Sequence, residues 1–390
     1  MNRYDVWMQI KFRPRYPRKS GSWICISATI QACRANALAF SDAEFREILR
    51  GRLLLFTTLQ SMPTASAIAA YFGRHSYSDP TKLIRMLMEA ISEIGKCDYE
   101  HVFVIPTKSF QGPDMEALSL AMPSLRQKGT ILLPASGMEF KKYKTVLEAS
   151  GKSVTVIESV PTSPVSTEAI YEHMWSGLIE SIYLARCYRS TGVFYKNVEN
   201  VIKAASELNI TVAVDESYTF GLDDVTLSDN AIRFCYSNMV LGGLPGAVIA
   251  CSGEAKADER ELVKAWLRSW GKRALNLLAS LKESLDYILN LGLNNWRTTV
   301  YFKSRVLCKR LSKTGYMIPI ATEDYRCPSI VVVRAPKAVE VPAIVRELRR
   351  SGIVVDNPEE RDVLRIGVMG ATTINQTLLL SELITLYTSF

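Results

Sequence analysis

The sequence predicts an α/β protein whose mostly parallel sheet is covered by helices, with a smaller α+β unit at its C-terminal end. Three observations predict it. Short runs rich in β-branched residues, HVFVIP at 101–106, TILLP at 130–134, SVTVIE at 153–158 and SIYLARC at 181–187, alternate with stretches of helical periodicity, which is how βαβ units read. The stretch at 211–221, TVAVDESYTFG, delivers an acidic pair, Asp215 and Glu216, to the carboxyl end of a strand. Beyond Ser252 the alternation gives way to long helical periods and then to a second, shorter strand–helix–strand pattern.

Taken in order, a helix is expected at 81–94, then the strand at 101–106, a loop TKSFQG, a helix from Asp114 and the strand at 130–134. A helix at 139–149 leads to the strand at 153–158, a helix at 167–174 to the strand at 181–187, and a helix at 197–208 to the run at 211. A second apolar run covers 236–252. A long helix at 261–289 is expected to run through Gly271, followed by a helix at 298–312, a strand at 329–335, a helix at 341–350, a strand at 363–369 and a closing helix. This divides the chain into a basic N-terminal extension (1–50), a large α/β domain (51–285) and a small α+β domain (286–390). Strand ends are where ligands sit in open α/β sheets, so Asp215 is a site candidate; the competing reading is an aspartate that caps the following turn.

With 390 residues the chain can bury a proper core. Its formal charge of +8 permits an acidic ligand or partner without identifying one. Lys11, Arg13, Arg15, Arg18 and Lys19 interleave with Phe12, Pro14, Tyr16 and Pro17 in an extended basic arm; it is read as a solvated tail in preference to a nucleic-acid contact, since nothing in it reads a groove. The eight cysteines are dispersed with no CxxC pair, which suggests free thiols acting as small hydrophobes and a reducing, cytoplasmic setting. Three scattered histidines do not make a metal site, and no apolar run reaches membrane-spanning length. The apolar stretch after the arm is broken by Gln31 and Arg34, which argues against a signal peptide.

From Leu53 onward the order of motifs resembles the class V aminotransferases of pyridoxal-phosphate (PLP) fold type I, the alanine–glyoxylate and serine–pyruvate group. The landmarks are LLLFTTLQSMP, MEALSLAMPSLRQKGTILLPASG, RSTGV at 189–193, VDESYTFG, SLKESLDYILNLGLNNW and LRIGVMG. The resemblance implies the PLP-transferase fold, with a mainly parallel seven-stranded sheet. It implies that Asp215 pairs with the pyridine nitrogen, where a carboxylate keeps both groups charged. Ser190 and Thr191 would lie beside the ring, and Arg365 would fork onto a substrate carboxylate.

The same resemblance marks departures. The family's Ser-Gln-Lys followed by Pro-Gly aligns with Ser237-Asn238-Met239 and Pro245-Gly246, so its Schiff-base lysine is Met239 here, and no lysine lies between Lys203 and Lys256. A thioether has no amine to form that bond or to relay a proton. The phosphate turn reads Thr107-Lys108-Ser109-Phe110, the segment that lends a neighbouring subunit's threonine ends at Lys272, the substrate loop is Phe56-Thr57-Thr58-Leu59, and the stacking aromatic has only Phe140 near its place. Cofactor contacts by resemblance are therefore Asp215, Ser190, Thr191, Ser109, Asn238, Lys272 and Lys108; the two lysines suit a small anion at a helix N-terminus. The expectation is a degenerate aminotransferase-like protein, a ligand binder or the non-catalytic subunit of a homodimer or of a heterodimer with a lysine-containing paralogue. PLP would then be held without a covalent bond, or not at all. An active PLP-dependent transaminase using another lysine is the alternative, and a nucleic-acid-associated protein acting through the basic arm is the second.

Overall fold

The computed structural model describes residues 47–48, 54–56, 61–107, 129–138, 140–149, 151–356 and 360–388. The basic arm, the loop carrying Lys108 and Ser109, the helix expected from Asp114, and Thr57–Leu59 of the substrate loop lie outside the described residues.

The chain opens with β1 (Leu54–Phe56) and α1 (Ala65–Tyr71). α2 (Pro80–Gly95) starts where Asp79 accepts a hydrogen bond from the N–H of Thr81 and Pro80 takes the first turn, where its missing N–H is no loss. Its buried stripe is Leu83, Ile84, Leu87, Met88, Ile91 and Ile94, at the helical period. β2 (Val102–Pro106), β3 (Thr130–Ser136), α3 (Phe140–Ala149), β4 (Ser153–Ser159), α4 (Thr167–Trp175), β5 (Ile179–Ala185), α5 (Val198–Glu207), β6 (Thr211–Asp215), β7 (Ala231–Tyr236) and β8 (Ala247–Ser252) follow. They form one seven-stranded sheet in the order β2-β8-β7-β6-β5-β3-β4. β8 runs antiparallel to β2 and β7, and every other pairing is parallel. The central strands are buried on both faces, which is why they are mostly apolar and do not alternate with polar residues.

The helix expected across Gly271 is two helices. α6 (Glu259–Trp270) stops at Gly271, whose φ of +53° and ψ of −128° suit glycine and not a side-chain-bearing residue, and α7 (Ala274–Leu291) begins after a single 3₁₀ turn. α8 (Leu293–Lys313), β9 (Ile330–Arg334), α9 (Val341–Arg350), β10 (Ile353–Val355), β11 (Val363–Gly367) and α10 (Ile374–Thr388) complete the chain. β9 and β11 pair antiparallel over a core of their own, while β10 pairs with β1 from the other end of the sequence. No helix among the described residues is long and apolar enough to cross a membrane.

The cysteines depart from expectation. Cys97 is bridged to Cys251 and Cys187 to Cys327, with Cα atoms 6.4 and 6.0 Å apart, while Cys235 and Cys308 are free and buried. Partners 154 and 140 residues apart are invisible to spacing rules. The reducing setting was inferred from dispersed, unpaired thiols, and that support is gone.

Lys303 on α8 is buried, with its Nζ donating at 2.9 Å to both the carbonyl and the hydroxyl of Thr372. Burial without a counter-charge lowers its pKa to about 7 from the ordinary 10.5. Between those values the unfolded chain binds the proton and the folded chain does not, so stability rises with pH through that window. We expect a contribution of about 1.4 kcal/mol per pH unit from this group. Urea titrations at stepped pH should show that slope, and Lys303→Met should flatten it.

Candidate functional site

β6 carries the site's first acid. The parallel register sets Asp215 opposite Ala185 of β5 and Phe234 of β7. Residues two apart on a strand share a face, so Tyr183, paired with Ala213, points the same way as Asp215. Its hydroxyl donates to Asp215 Oδ2 at 3.1 Å, while the N–H and Oγ of Ser217 donate to Oδ1 at 2.9 and 2.6 Å. Asp215 thus does cap its own turn, as an Asx residue does, and is at once a buried carboxylate at the carboxyl end of the sheet. The capping expected of that position is present, and the strand-end placement that makes Asp215 a site candidate is kept beside it.

Glu216 does something different. Its carboxylate is fully buried between two arginines: Arg186 Nη1 donates to Oε1 at 2.9 Å, and Arg233 Nε donates to Oε2 at 2.7 Å, with Arg233 Nη2 in ion-pair contact with the same oxygen at 2.6 Å. Arg186 also reaches Asp223 at 2.8 Å, and Arg233 Nη1 donates to the carbonyls of Gly95 and Val225, both at 2.9 Å. Each guanidinium lies over an aromatic ring, Arg186 on Phe194 and Arg233 on Phe220. Two cations and two carboxylates balance, which is what makes burial of such charge tolerable. Burial, and then the carboxylates of Glu216 and Asp215, push the nearby Cys235 thiol well above its ordinary pKa.

The turn after β7 carries Asn238 and Met239. The Ser237 hydroxyl donates to the Leu244 carbonyl at 2.7 Å, and Gly243 N–H closes on the Ser237 carbonyl at 2.8 Å. Val240 N–H donates to the Ser217 carbonyl at 3.1 Å, which fastens this turn to the loop beyond Asp215. Met239 is completely buried in the main core. The Asn238 carbonyl accepts from the N–H and hydroxyl of Ser61, at 2.8 and 3.0 Å.

Ser190, Thr191 and Arg365 come together from 175 residues apart. β5 continues into a hairpin whose tip is Arg189–Gly192, closed by Tyr188 N–H to the Val193 carbonyl at 3.0 Å and Gly192 N–H to the Tyr188 carbonyl at 2.7 Å. Arg365 of β11 is buried and donates from Nε to the Ser190 carbonyl at 3.1 Å; its Nη2 lies 3.3 Å from Glu360. Ser190 Oγ accepts from Met138 N–H at 3.4 Å, which brings the tip to the end of β3. The Tyr188 hydroxyl donates to the Pro134 carbonyl, and the Thr191 hydroxyl accepts from Val193 N–H at 3.3 Å.

Other expectations separate. Lys272 is exposed on the 3₁₀ turn between α6 and α7. Phe140 opens α3 and packs against the main core. Lys108 and Ser109 lie outside the described residues. No group of three or more His, Cys, Asp or Glu able to hold a metal occurs among the described residues. Sequence reading missed Tyr183 and Ser217 around Asp215, and Arg186 and Arg233 around Glu216. It also missed Ser136 at the end of β3, whose buried hydroxyl has no hydrogen-bond partner among the described residues. The signal for Arg186 and Arg233 was legible in retrospect: an arginine within or just after an apolar strand needs a buried acid.

The fold matches that of solved aminotransferases. The alanine–glyoxylate aminotransferase of Nostoc sp. superposes with a TM-score of 0.69 at 19% identity, covering 86% of this chain and 95% of that one. The pyridoxamine–pyruvate aminotransferase of Mesorhizobium loti gives 0.71 at 18% identity, over 87% and 93%. The ureidoglycine–glyoxylate aminotransferase of Bacillus subtilis gives 0.70 at 15%, over 85% and 92%. No protein-family model and no curated protein sequence matches the chain. At these identities the likeness is one of fold, and the fold is the PLP-transferase fold type I that the motifs implied.

Glu216→Gln leaves two buried guanidinium groups under-compensated and should destabilise the protein by about 3–5 kcal/mol. Tyr183→Phe removes one bond to Asp215 and should cost about 1.5–3 kcal/mol, the range for bonds to charged groups. Urea midpoints at unchanged m-value are the measurement.

Proposed function

We propose that this chain is a degenerate aminotransferase-like protein that binds a ligand at the strand ends around Asp215 without Schiff-base chemistry at position 239. It would act as a ligand-binding protein or as the non-catalytic subunit of a homodimer, or of a heterodimer with a lysine-containing paralogue. The observation that carries the reading is the pairing of a kept carboxylate with a missing amine. Asp215 stands at the end of β6 held by Tyr183 and Ser217, while the turn hydrogen-bonded to its loop holds Met239, wholly buried.

PLP, when bound in this fold, supplies an electron sink conjugated to the substrate's amine. The residues present fit its non-covalent half. Asp215 suits a pyridine nitrogen, the buried Ser136 hydroxyl lacks a partner among the described residues, and Arg365 carries the guanidinium a carboxylate would take, engaged here by the Ser190 carbonyl and Glu360. They do not fit its covalent half, since a thioether neither adds to an aldehyde nor carries a proton at neutral pH. A small anion is the ligand class this favours, and Lys272 would join it only by a change in its exposed turn.

The alternative, an active transaminase, needs another neutral and reachable amine. Lys303 is the described lysine with the most depressed basicity, and its Nζ is engaged by Thr372. Incubating the protein with PLP, reducing with borohydride and mapping pyridoxyl-lysine by peptide mass spectrometry separates the readings. We expect no labelled lysine in the wild type above the level of exposed surface lysines, and a label at position 239 in Met239→Lys. A stoichiometric label on one wild-type lysine would establish the alternative; an unlabelled Met239→Lys would remove the ligand site as we describe it.

A further inference from the structure

The hairpin that carries Ser190 and Thr191 is held from outside by a segment far along the chain. Tyr195 N–H returns to the Arg186 carbonyl at 2.8 Å, and Cys187 pairs antiparallel with Phe194. The hairpin's second limb then pairs with residues 325–327: Phe194 N–H donates to the Tyr325 carbonyl at 2.8 Å, Val193 faces Arg326, and Cys327 N–H donates to the Gly192 carbonyl at 2.8 Å. The Cys187–Cys327 bridge crosses from the first limb to that same segment. Arg365 fastens the tip on another side through the Ser190 carbonyl. A covalent tie, the Cys327 N–H, the Arg365 Nε and an ion pair from Arg189 to Asp356 at 3.9 Å therefore hold one short tip, all from the C-terminal part of the chain.

We propose that the Cys187–Cys327 disulfide is a redox-governed clasp on this site. Oxidised, it fixes the Arg189–Gly192 tip against Arg365; reduced, it lets the tip open. The release is a two-electron exchange with a dithiol reductant. A thiolate of the dithiol attacks one bridge sulfur, the Cys187–Cys327 bond breaks, and the second thiol resolves the mixed disulfide. The two protons lost by the dithiol end on Cys187 and Cys327 as thiols, and the reductant leaves as its own disulfide.

Position separates this bridge from the other one. Cys97–Cys251 joins the residue after the C-cap of α2 to β8, and neither cysteine touches a candidate site residue in the contacts above. Cys187 and Cys327 lie next to the tip and both are buried, but residues beside them, Arg326 half-buried among them, line an open cleft. Phe194, Arg326 and Pro328 line a cleft of about 370 Å³, which gives a small dithiol an approach. Cys308 is on the same cleft, but burial pushes its thiol up to about 11, so it stays protonated at neutral pH and is a poor internal attacker. Exchange thus falls to an external dithiol.

The test begins with proteolysis of the full chain under non-reducing conditions. A peptide containing Cys187 should be found disulfide-linked to one containing Cys327, and dithiothreitol should free both for alkylation. Hydrogen exchange is then followed at Gly192, Val193 and Cys327 in the oxidised protein, in the dithiothreitol-treated protein and in Cys187→Ser. We expect exchange about tenfold faster in the latter two, with the amides of β6 unchanged, and no such change in oxidised Cys97→Ser. Recovery of Cys187 and Cys327 alkylated without reductant overturns the proposal, as does equal exchange at the tip with and without the bridge. Faster exchange spread equally over β6 also overturns it, because the bridge is then a staple of the whole fold.

Discussion

The buried carboxylate of Glu216 between Arg186 and Arg233 is the constraint on which the rest of the structure depends. It ties β6 to the end of β5 and to β7, the three strands whose carboxyl ends carry the candidate site. Charge this deep is tolerable only when it is paired, so strand ends bearing these residues must bring the guanidinium groups to the carboxylate. Asp223 extends the network outward, accepting from Arg186 on one side and from Tyr301 of α8 on the other. Arg297 adds a second tether from α8, to the Gly221 carbonyl and to Asp224. The loop after β6 is thereby fixed to the helix that leads into the C-terminal elements.

That fixing explains the division of labour within an acidic pair. Successive side chains at the end of a strand leave in opposite directions. Glu216 turns into the arginine network, and Asp215 turns to Tyr183 and Ser217 at the sheet's edge of opening. Gly221 belongs to the same design: at φ +74° a Cβ there would stand 2.5 Å from Ile94 Cγ2, so the loop can lie against α2 only with glycine at this point. The position of Asp215 is thus maintained by residues packed behind the strand ends, Arg186, Arg233 and Gly221 among them.

Much of the fold was legible in the chain. Strands at 102–106, 130–136, 153–159 and 211–215 and the helix at 341–350 lie at or within a residue or two of where periodicity sets them. The failures have physical causes. β1 and β10 are three residues each, and they are strands only because they pair with each other across 299 residues of register. β7 begins at Ala231 and contains Arg233, a charge that reads as a strand's end until its buried partner is known. Gly271 stops a helix that composition would continue, since its role lies in a backbone angle and not in hydrophobic pattern.

The candidate site divides along the same line. Asp215 at a strand's carboxyl end, Met239 in the turn after the next strand and the absence of lysine from 204 to 255 are properties of order along the chain, readable from residue type and periodicity. The meeting of Ser190 with Arg365, the two cysteine bridges, the arginines around Glu216 and Tyr183 beneath Asp215 join residues between 17 and 175 positions apart. Local pattern records which face a residue presents, through the periods of helix and strand. Which distant residue meets that face is settled by packing and by the need to pair buried charge, and only the folded chain expresses that.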